Sequence, residues 1–311
     1  MVTVLRPLST SELLDRTFHL YRNNFLVFVG IAAIPQLFVL ALRVAVRVTP
    51  DPNQLGEFLL AYFGIWIVSF IAIETSHAWT VMAVSNLQLD RPATVGSAYR
   101  SVQSSLLRAI WISFAVLCIP ILFAVPFLIV IGIIVGIAGG IGGGAGLNNV
   151  AVIRLASLSM VLIVPLVALR WWLAWSLVVP VTVLEGGGLR ASMRRSKALT
   201  NGCRGRILVI YLLIGILVAI VSWMIQLPLL AAAGLRSLRE PGTMTAAVQV
   251  ISAAGVFLST SLVGALGTIA ITLIYYDQRV RKEGFDLQLM MSTLEGGGQA
   301  AAAAPAGATG A

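Results

Sequence analysis

Long apolar stretches alternate with short polar stretches along this chain of 311 residues. A bilayer core about 30 Å thick requires about 20 helical residues to cross it, and six apolar runs reach that length. They lie at about 25–46, 58–84, 109–137, 156–183, 207–233 and 248–276. Each run is continuous, whereas the strands of a membrane β-barrel alternate over roughly ten residues. The pattern therefore predicts an all-α, polytopic membrane protein, a bundle of six transmembrane helices.

Polar amphipathic segments precede the first, third and fifth apolar runs. In the first segment, Ser9 is followed three residues later by Glu12, a spacing typical of a helical capping box. The third segment, around 189–201, is less regular. The predicted apolar faces consist of Leu14, Phe18 and Tyr21 in the first segment and of Val95, Ala98, Tyr99, Val102 and Leu106 in the second. We expect these segments to form interfacial helices in the headgroup plane, along the cytoplasmic face.

The composition excludes an ordinary soluble domain. Hydrophobic residues make up 59% of the chain and charged residues only 11%, whereas soluble domains carry about 25% charged residues. Residues 1–24 are polar and contain acids as well as arginines. We therefore expect no cleavable signal peptide, and we expect the first hydrophobic helix to direct membrane insertion.

The charge distribution predicts an orientation. The net charge is +9, and 15 of the 21 Lys and Arg residues fall in segments that share one side when the N-terminus is inside. The opposite side carries five, including Arg43 near the end of the first run, and Arg170 lies near the middle of the fourth run. Basic residues concentrate in cytoplasmic loops of membrane proteins, so we expect both termini in the cytoplasm. The same rule explains the positive charge without a nucleic-acid partner.

The C-terminal segment differs from the rest of the chain. Residues 292–311 are rich in Gly and Ala, which fill 13 of the 20 positions. Such low-complexity composition is typical of a disordered tail. We therefore predict one membrane domain over residues 1–291, followed by a disordered tail.

Three polar stretches carry a family resemblance. They read LRPLSTSELLDRTFHLYRNNF near the start, VLEGGGLRASMRRSKALTNGCRGRI after the fourth run and IYYDQRVRKEGFDLQLMM after the sixth. Together they resemble the glycerophosphoryl diester phosphodiesterase membrane-domain family over about residues 1–291. The resemblance implies a multi-pass protein of the bacterial plasma membrane. It covers the membrane region alone, so it does not imply the phosphodiesterase activity of the separate cytoplasmic domain found in some relatives.

Glu74, His77 and Arg170 are ionisable residues that lie well away from the ends of the apolar runs. Glu74 and His77 are three residues apart and share a helix face, and Arg170 lies at a comparable depth in the fourth run. Charged residues inside a bilayer usually face the bundle interior and have a partner. Three interpretations are open: a polar cavity that moves protons or an anion, a Glu74–Arg170 ion pair that fixes helix packing, or a Glu74 near the membrane interface.

Two charged segments outside the runs are candidate contact surfaces. The basic segment contains no acid, and its cations either set topology alone or also contact anionic lipid headgroups. They are Arg190, Arg194, Arg195, Lys197, Arg204 and Arg206. The second segment, 277–286, alternates acids and bases. It is either a helix leaving the membrane or a docking element for the other polar helices or for a partner.

The chain lacks the usual patterns of a catalytic site. It contains no Gly-x-Ser-x-Gly motif, and its two histidines and two cysteines are far apart in sequence. We therefore predict no enzyme activity, no cofactor and no metal site. The predicted function is a non-enzymatic membrane scaffold or accessory protein that works with membrane lipids, with anionic lipids among the candidates, or with an unknown protein partner. The alternative is a transporter or channel for a small solute, ion or proton, using polar residues of the second and fourth runs.

Overall fold

The computed structural model describes residues 7–46, 55–141, 166–239, 244–284 and 291. All regular secondary structure within these ranges is helical. The helices are α1 (Thr10–Asn23), α2 (Phe25–Ala45), α3 (Leu55–Gln88), α4 (Val95–Val102), α5 (Leu106–Ile141), α6 (166–174), α7 (Val178–Glu185), α8 (Leu189–Thr200), α9 (Arg204–Arg239) and α10 (Met244–Glu283). The predicted tail at 292–311 and the start of the fourth predicted run lie outside the described residues.

Several helices are long and apolar enough to cross a membrane. Among the described residues there are five, within α2, α3, α9 and α10 and across α6 and α7. A sixth is counted when α4 and the first part of α5, which meet at 76°, are taken as one bent span. The predicted all-α, multi-pass architecture is confirmed at this level.

The long helices extend well beyond a bilayer core. α10 has 40 residues, or about 60 Å at 1.5 Å per residue, against a hydrocarbon thickness of about 30 Å. Its last third is enclosed by protein, as Ile269, Ala270 and Tyr275 are buried. The polar helices gather around this part. We call this end of the bundle, marked by Gln88, Glu185, Arg206 and Asp277, the arginine-rich end.

The first amphipathic helix packs along α10. The Leu8 backbone N–H donates to Asp277 Oδ1 at 2.8 Å, and the Tyr21 hydroxyl donates to the carbonyl oxygen of Leu262. The predicted capping box at its start is confirmed, since Ser9 and Glu12 each accept the other's backbone N–H.

The buried faces of α1 and α4 pack against α10 and α3. In α1 that face centres on Leu13 and Thr17, whereas Phe18, expected on the apolar face, is 41% exposed. In α4, Ala98 and Val102 are buried as expected, whereas Tyr99, also expected on the apolar face, is 46% exposed. Thr17, and not Phe18, is buried in α1. Its hydroxyl donates to the Leu13 carbonyl four residues earlier, so its burial leaves no unsatisfied polar group.

The fourth predicted run is interrupted. One helix ends at Ala174 and the next begins at Val178, with a turn over residues 175–177. The Ser196 hydroxyl of α8 donates to the Ala174 carbonyl at 3.0 Å and accepts from the Leu177 N–H at 3.3 Å. α8 can reach this break because α7 ends at Glu185 and is followed by Gly186, whose φ of +70° lies in the left-handed region that favours glycine. The Ala174 carbonyl and the Leu177 N–H at the break are therefore hydrogen-bonded by a side chain of α8.

Candidate functional sites inside the bundle and at its arginine-rich end

Glu74 and His77 form a small polar site inside the bundle. His77 Nδ1 lies 3.8 Å from Glu74 Oε1, and the Glu74 side chain is 13% exposed. Ser113 of α5 and Tyr211 of α9 lie near the carboxylate. Glu74 Oε2 is buried and has no hydrogen-bond partner among the described residues. A carboxylate at the meeting of three helices is thus only partly satisfied.

Arg170 does not join this site. Glu74 and Arg170 both lie within the described residues and form no ion pair with each other. Arg170 instead lines a pocket of about 250 Å³ together with Lys197 and Arg204. The structure therefore brings together two of the three residues predicted for an intramembrane polar site. The third, Arg170, lies beside Lys197 of α8, a helix that is bonded to the Ala174 carbonyl at the end of α6.

His77 also borders a second cavity. This pocket of about 170 Å³ lies between α2, α3 and α10. Its polar lining residues are Gln36, Ser76, His77, Thr80 and Thr260. Neither Glu74 nor Arg170 is among the residues that line it.

Asp277 is the centre of the first ion-pair cluster at the arginine-rich end. Its carboxylate accepts hydrogen bonds from the Leu8 N–H at 2.8 Å, from Arg206 Nη1 at 2.7 Å and from Arg281 Nε at 3.0 Å. Both arginines also donate to the carbonyl oxygen of Leu8. The Asp277 side chain is 0% exposed. One buried carboxylate therefore ties the chain before α1 and the start of α9 to α10.

Arg195 is the centre of the second cluster. Its guanidinium donates to Glu185 Oε2 at 3.0 Å and to Glu283 Oε2 at 2.8 Å. Glu185 also accepts from the Tyr275 hydroxyl at 2.8 Å, and Arg279 donates to Glu283 at 3.3 Å. The hydrogen bond to Glu283, more than any other contact, raises the pKa of Arg195 above its ordinary value. This cluster joins the end of α7, the middle of α8 and the end of α10.

Lys282 adds a contact to the end of α8. Its ammonium group donates to the carbonyl oxygens of Ala198, Leu199 and Asn201 at 2.8, 2.9 and 2.6 Å. The last carbonyls of a helix lack intrahelical partners and carry partial negative charge, so a cation stabilises them. Ser85 of α3 is bonded to Tyr276 at 2.8 Å.

Residues 275–283 therefore act as a docking segment for five other parts of the chain. Side chains of this stretch contact the residues before α1, and also α3, α7, α8 and α9. The alternating charges of 277–286 were open to two interpretations, a helix leaving the membrane or a docking element. Docking of the other polar helices accounts for these contacts. Residues 285 and 286 lie outside the described part.

The six predicted basic-segment cations divide into three groups. Arg195 and Arg206 are in the ion-pair clusters. Lys197 and Arg204 line the pocket that contains Arg170. Arg190 and Arg194 are exposed on α8. Within the described part of the chain, no acid forms an ion pair with these last four.

Sequence reasoning did not identify the hydroxyls that position α8. Ser192, Ser196 and Thr200 are spaced by four and buried, and Ser196 and Thr200 both donate to the Ala174 carbonyl. A stripe of small hydroxyl residues on an otherwise basic helix was the available signal, because the spacing places them on one face.

Comparisons with known proteins identified no relative of this chain. No protein-family model, no curated protein and no solved structure matches the chain.

Proposed function

We propose that this chain is a non-enzymatic membrane scaffold protein that presents a preformed basic surface to anionic lipid headgroups. The observation that carries the proposal is the way charges are distributed at the arginine-rich end. There Glu185, Asp277 and Glu283 are engaged by arginines within the protein, while Arg190, Arg194 and Lys197 of α8 are exposed. Because the acids are already paired, the remaining cations present net positive charge.

The proposed location is the plasma membrane of a bacterium, with the arginine-rich end in the cytoplasm. Two arguments support it: the concentration of Lys and Arg in the segments at this end, and the resemblance to the glycerophosphoryl diester phosphodiesterase membrane-domain family. Each cation near an anionic membrane surface contributes about 1 kcal/mol of attraction. The Arg195 cluster and the Lys282 contacts support a scaffold because they hold α8 in one orientation relative to the bundle.

The test is lipid selectivity of the purified protein in nanodiscs that contain phosphatidylglycerol and phosphatidylcholine. We expect phosphatidylglycerol to be enriched among lipids that remain bound on extraction, as counted by mass spectrometry. Arg190→Gln/Arg194→Gln should reduce this enrichment. The matched control is Arg91→Gln/Arg100→Gln, which removes two exposed cations from another part of the chain. Equal lipid ratios in the wild type and the α8 variant would contradict the proposal.

A transporter is the second candidate, and the pocket beside His77 favours it. The cavity places polar side chains of α2, α3 and α10 together in the apolar part of the bundle. The test is proton or anion flux in liposomes that contain the wild type or Gln36→Leu. Transport through this cavity predicts flux that the substitution lowers, and flux equal to that of empty liposomes excludes it.

A further inference from the structure

We propose that the pocket between α6, α8 and α9 is a binding site for a phosphoryl anion. We call it the three-cation pocket, after Arg170, Lys197 and Arg204; Trp171, Ala174 and Trp175 complete its described lining. The inference rests on the proposed function and goes further, because it names one site and one chemical group in place of a general attraction to anionic lipids.

The charge of the lining is the first argument. Its cations come from three different helices, and none of the described lining residues is an acid. The nearby acids are engaged elsewhere, Glu185 and Glu283 with Arg195 and Asp277 with Arg206. Like charges held together repel one another, and a bound anion offsets that repulsion while accepting charge-assisted hydrogen bonds.

The hydrogen-bonding state of the pocket is the second argument. Arg204 Nε is buried and has no hydrogen-bond partner within the described part of the protein. A buried donor without an acceptor is unfavourable, and a phosphoryl oxygen supplies one. The guanidinium groups of Arg170 and Arg204 match the geometry of phosphate oxygens, and the ammonium of Lys197 adds a point charge.

The size of the pocket limits the ligand. Its volume is about 250 Å³, below the range of roughly 300–1,000 Å³ that drug-sized ligands occupy. A single phosphoryl group with a small substituent suits this space. The walls are held together, because the hydroxyls of Ser196 and Thr200 bond α8 to the Ala174 carbonyl of α6.

The position of the pocket along the bundle is the third argument. Trp172, next to the pocket, packs on Tyr211 of α9 with ring centroids 4.3 Å apart and is 45% exposed. The exposed large apolar residues of α9 begin at Val209, one turn beyond Arg204. Tryptophan concentrates at the boundary between headgroups and hydrocarbon. The pocket therefore lies where an apolar surface meets a basic one, the level of lipid phosphates in a bilayer.

The phosphoryl group has two sources, a lipid headgroup or a free phosphate, and titration of the whole detergent-solubilised protein distinguishes them. The probes are dihexanoyl phosphatidic acid, inorganic phosphate and, as the zwitterionic control, dihexanoyl phosphatidylcholine. Trp171 and Trp175 line the site, so tryptophan fluorescence is the readout. We expect saturable binding of phosphatidic acid and not of phosphatidylcholine. Saturation by inorganic phosphate as well identifies free phosphate as sufficient, and its absence assigns the site to a lipid headgroup.

Variants that each change one cation test whether the fluorescence change arises from binding in the three-cation pocket. Arg170→Gln and Lys197→Gln should each weaken phosphoryl binding about tenfold or more, the range expected for a lost charge-assisted hydrogen bond. Arg170→Lys should retain most of the affinity. The matched control Arg194→Gln removes an exposed cation of α8 outside the pocket and should change affinity less than twofold. Because Arg170 and Lys197 are both exposed, at least one variant should fold, as checked by its melting temperature.

The outcomes separate this inference from the proposed function. If neither phosphatidic acid nor inorganic phosphate saturates, or if Arg170→Gln and Lys197→Gln bind as the wild type does, the pocket proposal is wrong, and phosphatidylglycerol enrichment in nanodiscs still tests the scaffold proposal. If that enrichment is absent while the titration saturates and depends on Arg170, the scaffold proposal is wrong and the pocket proposal stands.

Discussion

Asp277 and Arg206, 71 positions apart in the chain, are joined by a 2.7 Å bond from Arg206 Nη1 to Asp277 Oδ2. The carboxylate is fully buried and also accepts from the Leu8 N–H and from Arg281. Replacing both partners of a buried ion pair by well-packed apolar residues often leaves stability unchanged. Removing only one partner leaves a buried charge uncompensated. The pair therefore determines how α9, α10 and the chain before α1 fit together, whatever its net contribution to stability.

Asp277→Asn should destabilise the protein strongly. The change leaves Arg206 and Arg281 without their shared carboxylate, and breaking a buried pair in this way costs about 3–5 kcal/mol. The measurement is thermal unfolding in detergent, followed by circular dichroism. Asp15→Asn, which neutralises an exposed acid of α1, should leave the melting temperature nearly unchanged. Equal melting temperatures for the two variants would show that the Asp277 cluster does not hold the bundle together.

Arg195→Gln should introduce a pH dependence of stability that the wild-type protein lacks. The hydrogen bond to Glu283 raises the pKa of Arg195, so its stabilising contribution is complete at every pH below the ordinary arginine value and is lost only above it. Arg195 therefore adds no slope between pH 6 and 9.

In the Arg195→Gln variant the carboxylates of Glu185 and Glu283 lose the cation between them. The variant should be less stable at pH 7 and should recover part of the loss as the pH falls toward about 4.3, the ordinary range of glutamate. Melting temperatures between pH 4.5 and 9 measure this. Arg194→Gln, which changes the exposed neighbour, is the control. If the loss of stability does not become smaller on acidification, repulsion between Glu185 and Glu283 is not its cause.

Ser196→Ala should weaken the attachment of α8 to the break between α6 and α7. The substitution removes the hydroxyl that bonds the Leu177 N–H and the Ala174 carbonyl, and an unsatisfied buried group costs about 1–3 kcal/mol. Hydrogen exchange at residues 174–178 should become faster. Ser11→Ala, at an exposed position of α1, should leave that exchange unchanged. The α8 contact is unimportant if both variants exchange as the wild type does.

The Cys203 thiol should react slowly at neutral pH. Burial raises its pKa, and this effect exceeds the lowering by nearby Lys282, so the reactive thiolate forms only above the ordinary range of about 8.5. Because the folded state holds the thiol proton more tightly, the unfolded state loses its proton first, and the free energy of unfolding should fall as the pH rises through that range. Alkylation by iodoacetamide between pH 7 and 10, in a Cys118→Ser background, measures the reaction. Equal rates for folded and denatured protein at pH 7.5 would contradict the expected pKa.

The positions of the helices could be predicted closely from the sequence. Predicted runs such as 25–46 and 207–233 correspond to α2, Phe25–Ala45, and α9, Arg204–Arg239. The Ser9–Glu12 capping box also formed as predicted. These features depend on neighbours within a few residues along one chain segment, so local apolar length and local hydrogen bonding suffice to specify them.

The location of Arg170 could not be predicted in the same way. A continuous fourth span would place it in the middle of the membrane, near Glu74. The break after Ala174 is made possible by Ser196 and Thr200, two residues of another helix. Because that hydrogen bonding is long-range, the apolar run itself gives no sign of it.

The sequence by itself determined that this is an all-helical membrane protein with basic polar segments, because apolar length and charge frequency are properties of each stretch taken alone. Only the tertiary structure decided which charges neutralise one another. It paired Asp277 with Arg206, and Arg195 with Glu185 and Glu283, and it collected Arg170, Lys197 and Arg204 around one pocket. Ion pairing depends on distances between side chains of different helices, and those distances exist only after the helices have packed.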